Sequence, residues 1–314
     1  MLFGEHAVVF HHPCLVTAVD LRVQVTIERK DIPDIQIDTP ALRRAGKIFR
    51  VDLKELFTSR EDRQTAFITA AIRQVFLHSH VEQGLSIRSD GPIQSFGLGS
   101  SSAVTVATVY ALGHLFDLHL SHQQVFDLAF SAIRDVQKIG SGFDVAAAVF
   151  GGTLYYQLAK PIKHLQVDPL PLVIGFSGDK VSTTNLVTQV ASLYHKYPGI
   201  LDSIFQAIGS ITNSAMSAIL QKDWKAVGEL MDLNQGLLIS LGVSTPGLDK
   251  MITSARRNGA FGAKLSGAGG GDCMLALVDD QSRAAVENGI RSAGGKVLTL
   301  DTSVAGVRLE SDID

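Results

Sequence analysis

The chain has 314 residues, 46 % of them hydrophobic and 19 % charged, with a formal net charge of −3. That supplies apolar material for one large or two medium cores, and no excess of charge that would mark a nucleic-acid binder or a charged tail. No apolar run nears the ~20 residues of a membrane span, and the two cysteines, Cys14 and Cys273, lack metal-ligand spacing, which points to a reducing, cytoplasmic setting. In chain order, residues 8–10 read as an apolar strand beside Glu5 and His6, with His11 and His12 at the surface. The alternation over 15–28 reads as a strand pair or one long bent strand. Helical patterns follow at 65–77, 103–115 and 123–136, with a strand at 84–90. Arg43, Arg44, Lys47 and Arg50 form a short scattered run on a solvated loop or hairpin. A strand at 153–157 leads to a Pro-containing stretch at 160–171, read as the domain boundary. Beyond it lie a strand at 172–176, helices at 186–194, 200–220, 224–240 and 248–258, and strands at 274–278, 297–301 and 306–310. Strands and helices intermix without regular βαβ alternation, so the class is α+β in two halves.

Two glycine-rich stretches carry the chemistry. In Phe96, Gly97, Leu98, Gly99, Ser100, Ser101 and Ser102 the glycines run straight into an apolar helical segment. Glycine permits positive φ and close backbone approach, while the free N–H groups and positive dipole end of a following helix attract an anion. One of the serines would cap that helix, and one could also reach a metal ion held by a nucleotide. A plain serine-capped helix after a flexible loop is the alternative. The second stretch, Gly262 to Cys273, has four glycines in the five positions 267–271. Such density suits a nest of N–H groups or a loop pressed against neighbouring backbone. Neither the P-loop pattern nor the spaced dinucleotide fingerprint occurs, so the phosphate chemistry belongs to another architecture. Asp144, after Gly140, Ser141, Gly142 and Phe143, reads by itself as a helix N-cap.

These segments, together with Leu2 to Val9, resemble the GHMP kinases, small-molecule kinases named for galactose, homoserine, mevalonate and phosphomevalonate, over nearly the whole chain. Residues 2–9 and 236–248 are similar to the mevalonate kinases, whereas Gly140 to Ala148 and Gly271, Asp272 and Cys273 are closer to phosphomevalonate kinases. The resemblance implies a ribosomal-S5-like N-terminal domain over 1–160 and a ferredoxin-like C-terminal domain over 161–314, with the active site between them. It implies an ATP- and Mg²⁺-dependent kinase phosphorylating the 5-hydroxyl of mevalonate. Phosphomevalonate as acceptor is the runner-up, and a GHMP-fold protein that binds ligand without turnover is a third reading. In the resemblance, Gly97, Leu98, Gly99, Ser100, Ser101 and Ser102 form the ATP loop, Ser101 is the Mg²⁺ ligand, and Gly267 and Gly269 belong to the family's third motif. Asp144 is the candidate base. Glu5, His6 and Thr183 fall on the acceptor side. Read without the family, His6 is a core or turn histidine, and 182–184 is an N-cap for the next helix. The implied partner is a small-molecule substrate, with no nucleic acid and no membrane, and a homodimer is open to it.

Three departures qualify the transfer of mechanism. Mevalonate kinases carry a lysine on a strand before the segment matched by Phe3, Gly4, Glu5 and His6, and this chain starts at Met1, just after it. The expectation is that the first strand is absent from this version, with unpaired donors left beside 8–10; the alternative is an enzyme that works without the lysine. The family's Mg²⁺-binding glutamate falls on Ile133, with Gln137 one turn further on the same face and Asp135 pointing away. Ser95 and Phe96 replace the first glycine of the ATP loop. A phosphorylated acceptor would need extra cations, for which Arg134, Lys138 and Lys180 are the nearby candidates.

Overall fold

The computed structural model describes residues 1–58, 62, 64–92, 96–138, 140–179 and 183–310, with 183 and 184 described by their backbone alone. Its contacts gather into two compact units. One, here the Asp144 unit, comprises Leu21–Ser95, Gly99–Gly151 and Ala305–Asp314; the other, the Glu5 unit, comprises Met1–Asp20, Phe96–Leu98 and Gly152–Val304.

In the Asp144 unit, strands whose apolar residues alternate form a sheet in the order Gln24–Lys30, Gly84–Asp90, Asp34–Asp38, Phe49–Asp52. The central pair, with Ile37 opposite Ile87, is parallel, and the flanking pairs are antiparallel. Ile35, Ile37, Leu85 and Ile87 are buried, as one covered face requires. The helices Ala66–Ser79, Ser100–Leu115, His122–Gln137 and Phe143–Phe150 pack on one another, and Ser100–Leu115 lies against the Gln24–Lys30 strand. A reciprocal Ser121 and Gln124 capping box starts His122–Gln137.

The Glu5 unit holds an antiparallel sheet ordered Lys296–Leu298, Leu172–Phe176, Cys273–Leu277, Gly262–Ser266. Its three long strands are buried at every position, because successive side chains feed two separate apolar clusters. Val173, Ala263, Leu265, Met274 and Ala276 join one, with Leu248, Met251, Ile252, Val286 and Ile290 from the helices Pro246–Arg257 and Arg283–Ser292. Leu172, Ile174, Phe176, Leu275 and Leu277 join the other, with Phe3, Leu15, Ile219 and Met231. A second antiparallel sheet is made by Cys14–Thr17, Thr153–Tyr156 and Lys163–Leu165.

Several expectations change. The 15–28 stretch is neither one bent strand nor a pair: Cys14–Thr17 and Gln24–Lys30 lie in different sheets. Residues 8–10 are no strand but part of a 3₁₀ turn, Ala7–Phe10, in which Val8 N–H donates to Gly4 O and Val9 N–H to His6 O, so those donors are paired. Within the 160–171 stretch, Lys163–Leu165 forms a strand. At the end of the chain, Lys296–Leu298 is a strand, while 299–310 offers single bridges at Thr302 and Ala305 and no strand at 306–310.

Candidate functional site

In the Asp144 unit, the helices Ser100–Leu115 and Phe143–Phe150 start in the same way. Each is preceded by a glycine at φ 82°, Gly99 and Gly142, with no side-chain cap. The first helix thus begins three residues earlier than the sequence pattern indicates, and the cap is Gly99 rather than any of the serines. Its first-turn N–H groups, at Ser100, Ser101 and Ser102, have no carbonyl within the helix to pair with. The serines divide around the helix: Ser100 is exposed, Ser101 half-buried and Ser102 buried. Asp144 is likewise not an N-cap; it sits in the first turn of its own helix, behind the cap residue Gly142. Its Oδ1 accepts the Val145 N–H at 3.1 Å and its Oδ2 accepts the Ser102 hydroxyl at 2.5 Å. A Cβ on Gly99 would lie 3.6 Å from Asp144 Cβ. A carboxylate, a hydroxyl and free backbone donors therefore share one place, where two helix N-termini favour negative charge.

The residues around the glutamate departure read from the sequence lie on the helix His122–Gln137 and at its C-terminal cap. Ile133 is buried and offers no ligand; Gln137 is half-buried, and exposed Asp135 accepts from Gln74 Nε2 at 2.7 Å. Arg134 is exposed above the Phe130 ring, and Lys138, also exposed, closes the helix. Lys180 lies outside the described residues. Among the described residues, no three His, Cys, Asp or Glu side chains form a metal-binding group.

In the Glu5 unit, Glu5 is 1 % exposed and ion-pairs with Lys264, itself 0 % exposed. Its second oxygen accepts from Asn234 Nδ2 at 3.0 Å, and Lys264 Nζ also donates to Leu265 O at 2.6 Å. Burial pushes the Lys264 pKa down, against the raising effect of the Glu5 carboxylate. His6 is buried, with Nε2 2.9 Å from Ala268 O. Because a carbonyl can only accept, Nε2 carries the proton. Burial lowers the His6 pKa, which keeps the ring neutral. Ser266 Oγ donates to Met1 O at 2.9 Å. Glu5 and His6 thus tie the start of the chain to the strand and loop that carry Gly267 and Gly269. Gly269 presses on the Val243 carbonyl, whereas Gly267 faces open space.

Phe96, Gly97 and Leu98 belong to this unit. A Cβ on Gly97, at φ 70°, would run into the Asp272 carboxylate, so only glycine fits. Phe96 meets Phe176 edge-on at 5.2 Å, and its carbonyl accepts from Cys273 Sγ at 3.2 Å. Burial pushes the Cys273 thiol up to about 12, so it is no nucleophile at neutral pH. Thr183 starts the helix Thr183–Lys196, but its side chain lies outside the described residues.

Sequence reasoning missed Lys264, Asn234 and the side-chain role of Ser102. A signal existed for the first: a single lysine in a strand otherwise apolar or small, Gly262–Ser266, has no solvated face to occupy and requires a buried partner.

Comparison with known proteins follows the same segments. Residues 66–152 match the GHMP kinases N terminal domain and 215–296 the GHMP kinases C terminal. A curated relative from Pyrococcus abyssi, named mevalonate kinase, is 36 % identical over 321 residues that cover 99 % of this chain and 95 % of the relative. The Methanococcus jannaschii mevalonate kinase structure superposes with a TM-score of 0.79 at 26 % identity, covering 96 % of this chain and 94 % of the other. The L. major mevalonate kinase, solved with R-mevalonate, gives a TM-score of 0.77 at 25 % identity, covering 98 % and 94 %. The mixed helix-and-sheet architecture is the one these structures share, and the chain belongs to the GHMP kinases, ATP-dependent kinases of small-molecule alcohols.

Proposed function

We propose that the chain transfers the γ-phosphoryl group of ATP to the 5-hydroxyl of mevalonate. The observation that carries the acceptor is full-length similarity, at 36 % identity, to a relative named mevalonate kinase. The chemistry is supported by Asp144 and the N–H groups of Ser100, Ser101 and Ser102 at one pair of helix starts. The acceptor O–H gives its proton to Asp144 while its oxygen bonds the γ-phosphorus. The bond from that phosphorus to the β–γ bridging oxygen breaks, and ADP leaves with the electron pair. Among the described residues each Asp144 oxygen accepts one hydrogen bond, which leaves a lone pair for this proton.

Gly97, Leu98, Gly99, Ser100, Ser101 and Ser102 are assigned to the triphosphate, with Gly267 and Gly269 as the second phosphate-side loop. The half-buried Ser101 hydroxyl would hold a Mg²⁺ ion as one protein ligand, and the ion would supply charge neutralisation for the transferring phosphoryl group. Glu5, His6 and Thr183 are assigned to the acceptor side. Both Glu5 oxygens are engaged, so its contribution passes through Lys264 and the His6 segment. The family domains are taken as 1–160 and 161–314, because the matched ranges 66–152 and 215–296 fall on either side of that division. Two buried cysteines held as thiols, Cys14 and Cys273, support a cytoplasmic setting.

Phosphomevalonate is a second reading, favoured by Ile133 at the position of the family's glutamate. ADP release measured with mevalonate, phosphomevalonate, homoserine and galactose separates them. Turnover with mevalonate is expected. A higher kcat/KM with phosphomevalonate would transfer the assignment, and ADP release with none of the four would overturn both.

A further inference from the structure

We infer that Ser102 is a positioning residue for Asp144, an inference that rests on Asp144 being the base. The Ser102 hydroxyl donates to Asp144 Oδ2 at 2.5 Å, and Ser102 is 1 % exposed. A hydroxyl has one proton, so this bond commits it, and burial keeps water from competing. Bonds to an ionised acceptor are about twice as strong as neutral ones. The same carboxylate accepts the Val145 N–H at Oδ1, which fixes its second oxygen. One oxygen is thus held by Asp144's own helix and the other by the helix that follows the ATP loop.

The consequence is directional. The lone pair left on each oxygen points where these two donors do not, and proton abstraction requires it to point at the acceptor hydroxyl. Successive serines on a helix also face different ways: Ser100 and Ser101 are the more accessible, while Ser102 turns inward. Its hydroxyl therefore serves the carboxylate rather than the triphosphate.

The test is a double-mutant cycle in the full chain, with kcat read by ADP release on mevalonate, binding of a non-hydrolysable ATP analogue, and the thermal midpoint as a control of folding. Asp144→Asn is expected to lower kcat by roughly 10²–10⁴. Ser102→Ala is expected to lower kcat by about 10–100-fold, the scale of a misplaced reacting group, with the analogue's Kd unchanged. In the Asp144→Asn background the same Ser102→Ala change is expected to alter kcat by less than about 2-fold, since residues acting as one unit are not additive. Ser102→Cys keeps a weak donor of similar size; it should lose less than Ser102→Ala, and it provides the same cycle if the alanine variant fails to fold. Wild-type kcat in Ser102→Ala, or an equal loss in both backgrounds, would overturn the inference and leave Asp144 as base. A weakened analogue Kd would place the hydroxyl on the triphosphate instead. Wild-type kcat in Asp144→Asn would remove the base, and the inference with it.

Discussion

Of the first-turn serines, Ser101 makes a prediction about the metal. Ser101 is half-buried beside the buried Ser102. If its hydroxyl is the Mg²⁺ ligand, Ser101→Ala should raise the Mg²⁺ concentration for half-maximal rate and the KM for ATP together, leaving the thermal midpoint near that of the parent. Unchanged metal dependence in a Mg²⁺ titration would leave Ser101 with its backbone role alone. His6 makes a prediction about pH. Burial lowers its folded-state pKa below the ~6.5 of an unfolded histidine, so between those two values the unfolded chain binds the extra proton. The stability tied to His6 is complete above about pH 6.5 and is lost as pH falls toward the folded-state value. His6→Gln keeps an N–H donor for Ala268 O and removes the titration, so the thermal midpoint of that variant should fall less steeply between about pH 7 and pH 5. An unaltered slope would move the acid sensitivity to other groups, such as His12, whose pKa burial also lowers.

At the scale of an element, the second glycine loop offers a controlled comparison. Gly267 and Gly269 have similar backbones, φ 86° and 80°, so alanine at either position incurs about 1–2 kcal/mol of left-handed strain. Their surroundings differ. A Cβ at 267 meets nothing within 4 Å, whereas one at 269 would overlap the Val243 carbonyl, which accepts the Gly270 N–H at 2.7 Å. Gly269→Ala must therefore push the loop off Val243, and should lower the thermal midpoint and weaken ATP-analogue binding more than Gly267→Ala. Equal effects in both measurements would mean that the loop gives way without cost and that the close approach is incidental.

At the scale of the molecule, the Glu5 and Lys264 pair joins residues 259 positions apart and fastens the start of the chain to the sheet of the Glu5 unit. Breaking a buried pair leaves one charge uncompensated, at about 3–5 kcal/mol. Glu5→Gln and Lys264→Met should each destabilise by that order in denaturant unfolding, and the double variant by less than the sum. Hydrogen exchange should rise first in Gly262–Ser266 and Cys273–Leu277, with Gly84–Asp90 of the Asp144 unit protected longer. Additive losses, or simultaneous exposure of all three strands, would refute an ion pair acting within one unit.

Local order was legible in the sequence wherever its cause was local. Gly84–Asp90, Leu172–Phe176 and Trp224–Ser240 appear at the residues their hydrophobic pattern indicates, and the glycine loops stand where helix starts and close approaches need them. The family signature was legible too, because it is made of short contiguous runs. What failed was decided by neighbours far along the chain. Residues 7–10 carry a strand-like composition and form a turn, because Glu5 and His6 are held by Lys264 and Ala268. Residues 15–28 share one alternating pattern and divide between two sheets, since period 2 records a covered face and not which strand covers it. The candidate site shows the same division. Composition and spacing single out Asp144 and the serines. Only the packing of two helix starts turns the Ser102 hydroxyl onto the carboxylate, because a hydrogen bond across 42 positions depends on where both backbones end up in space.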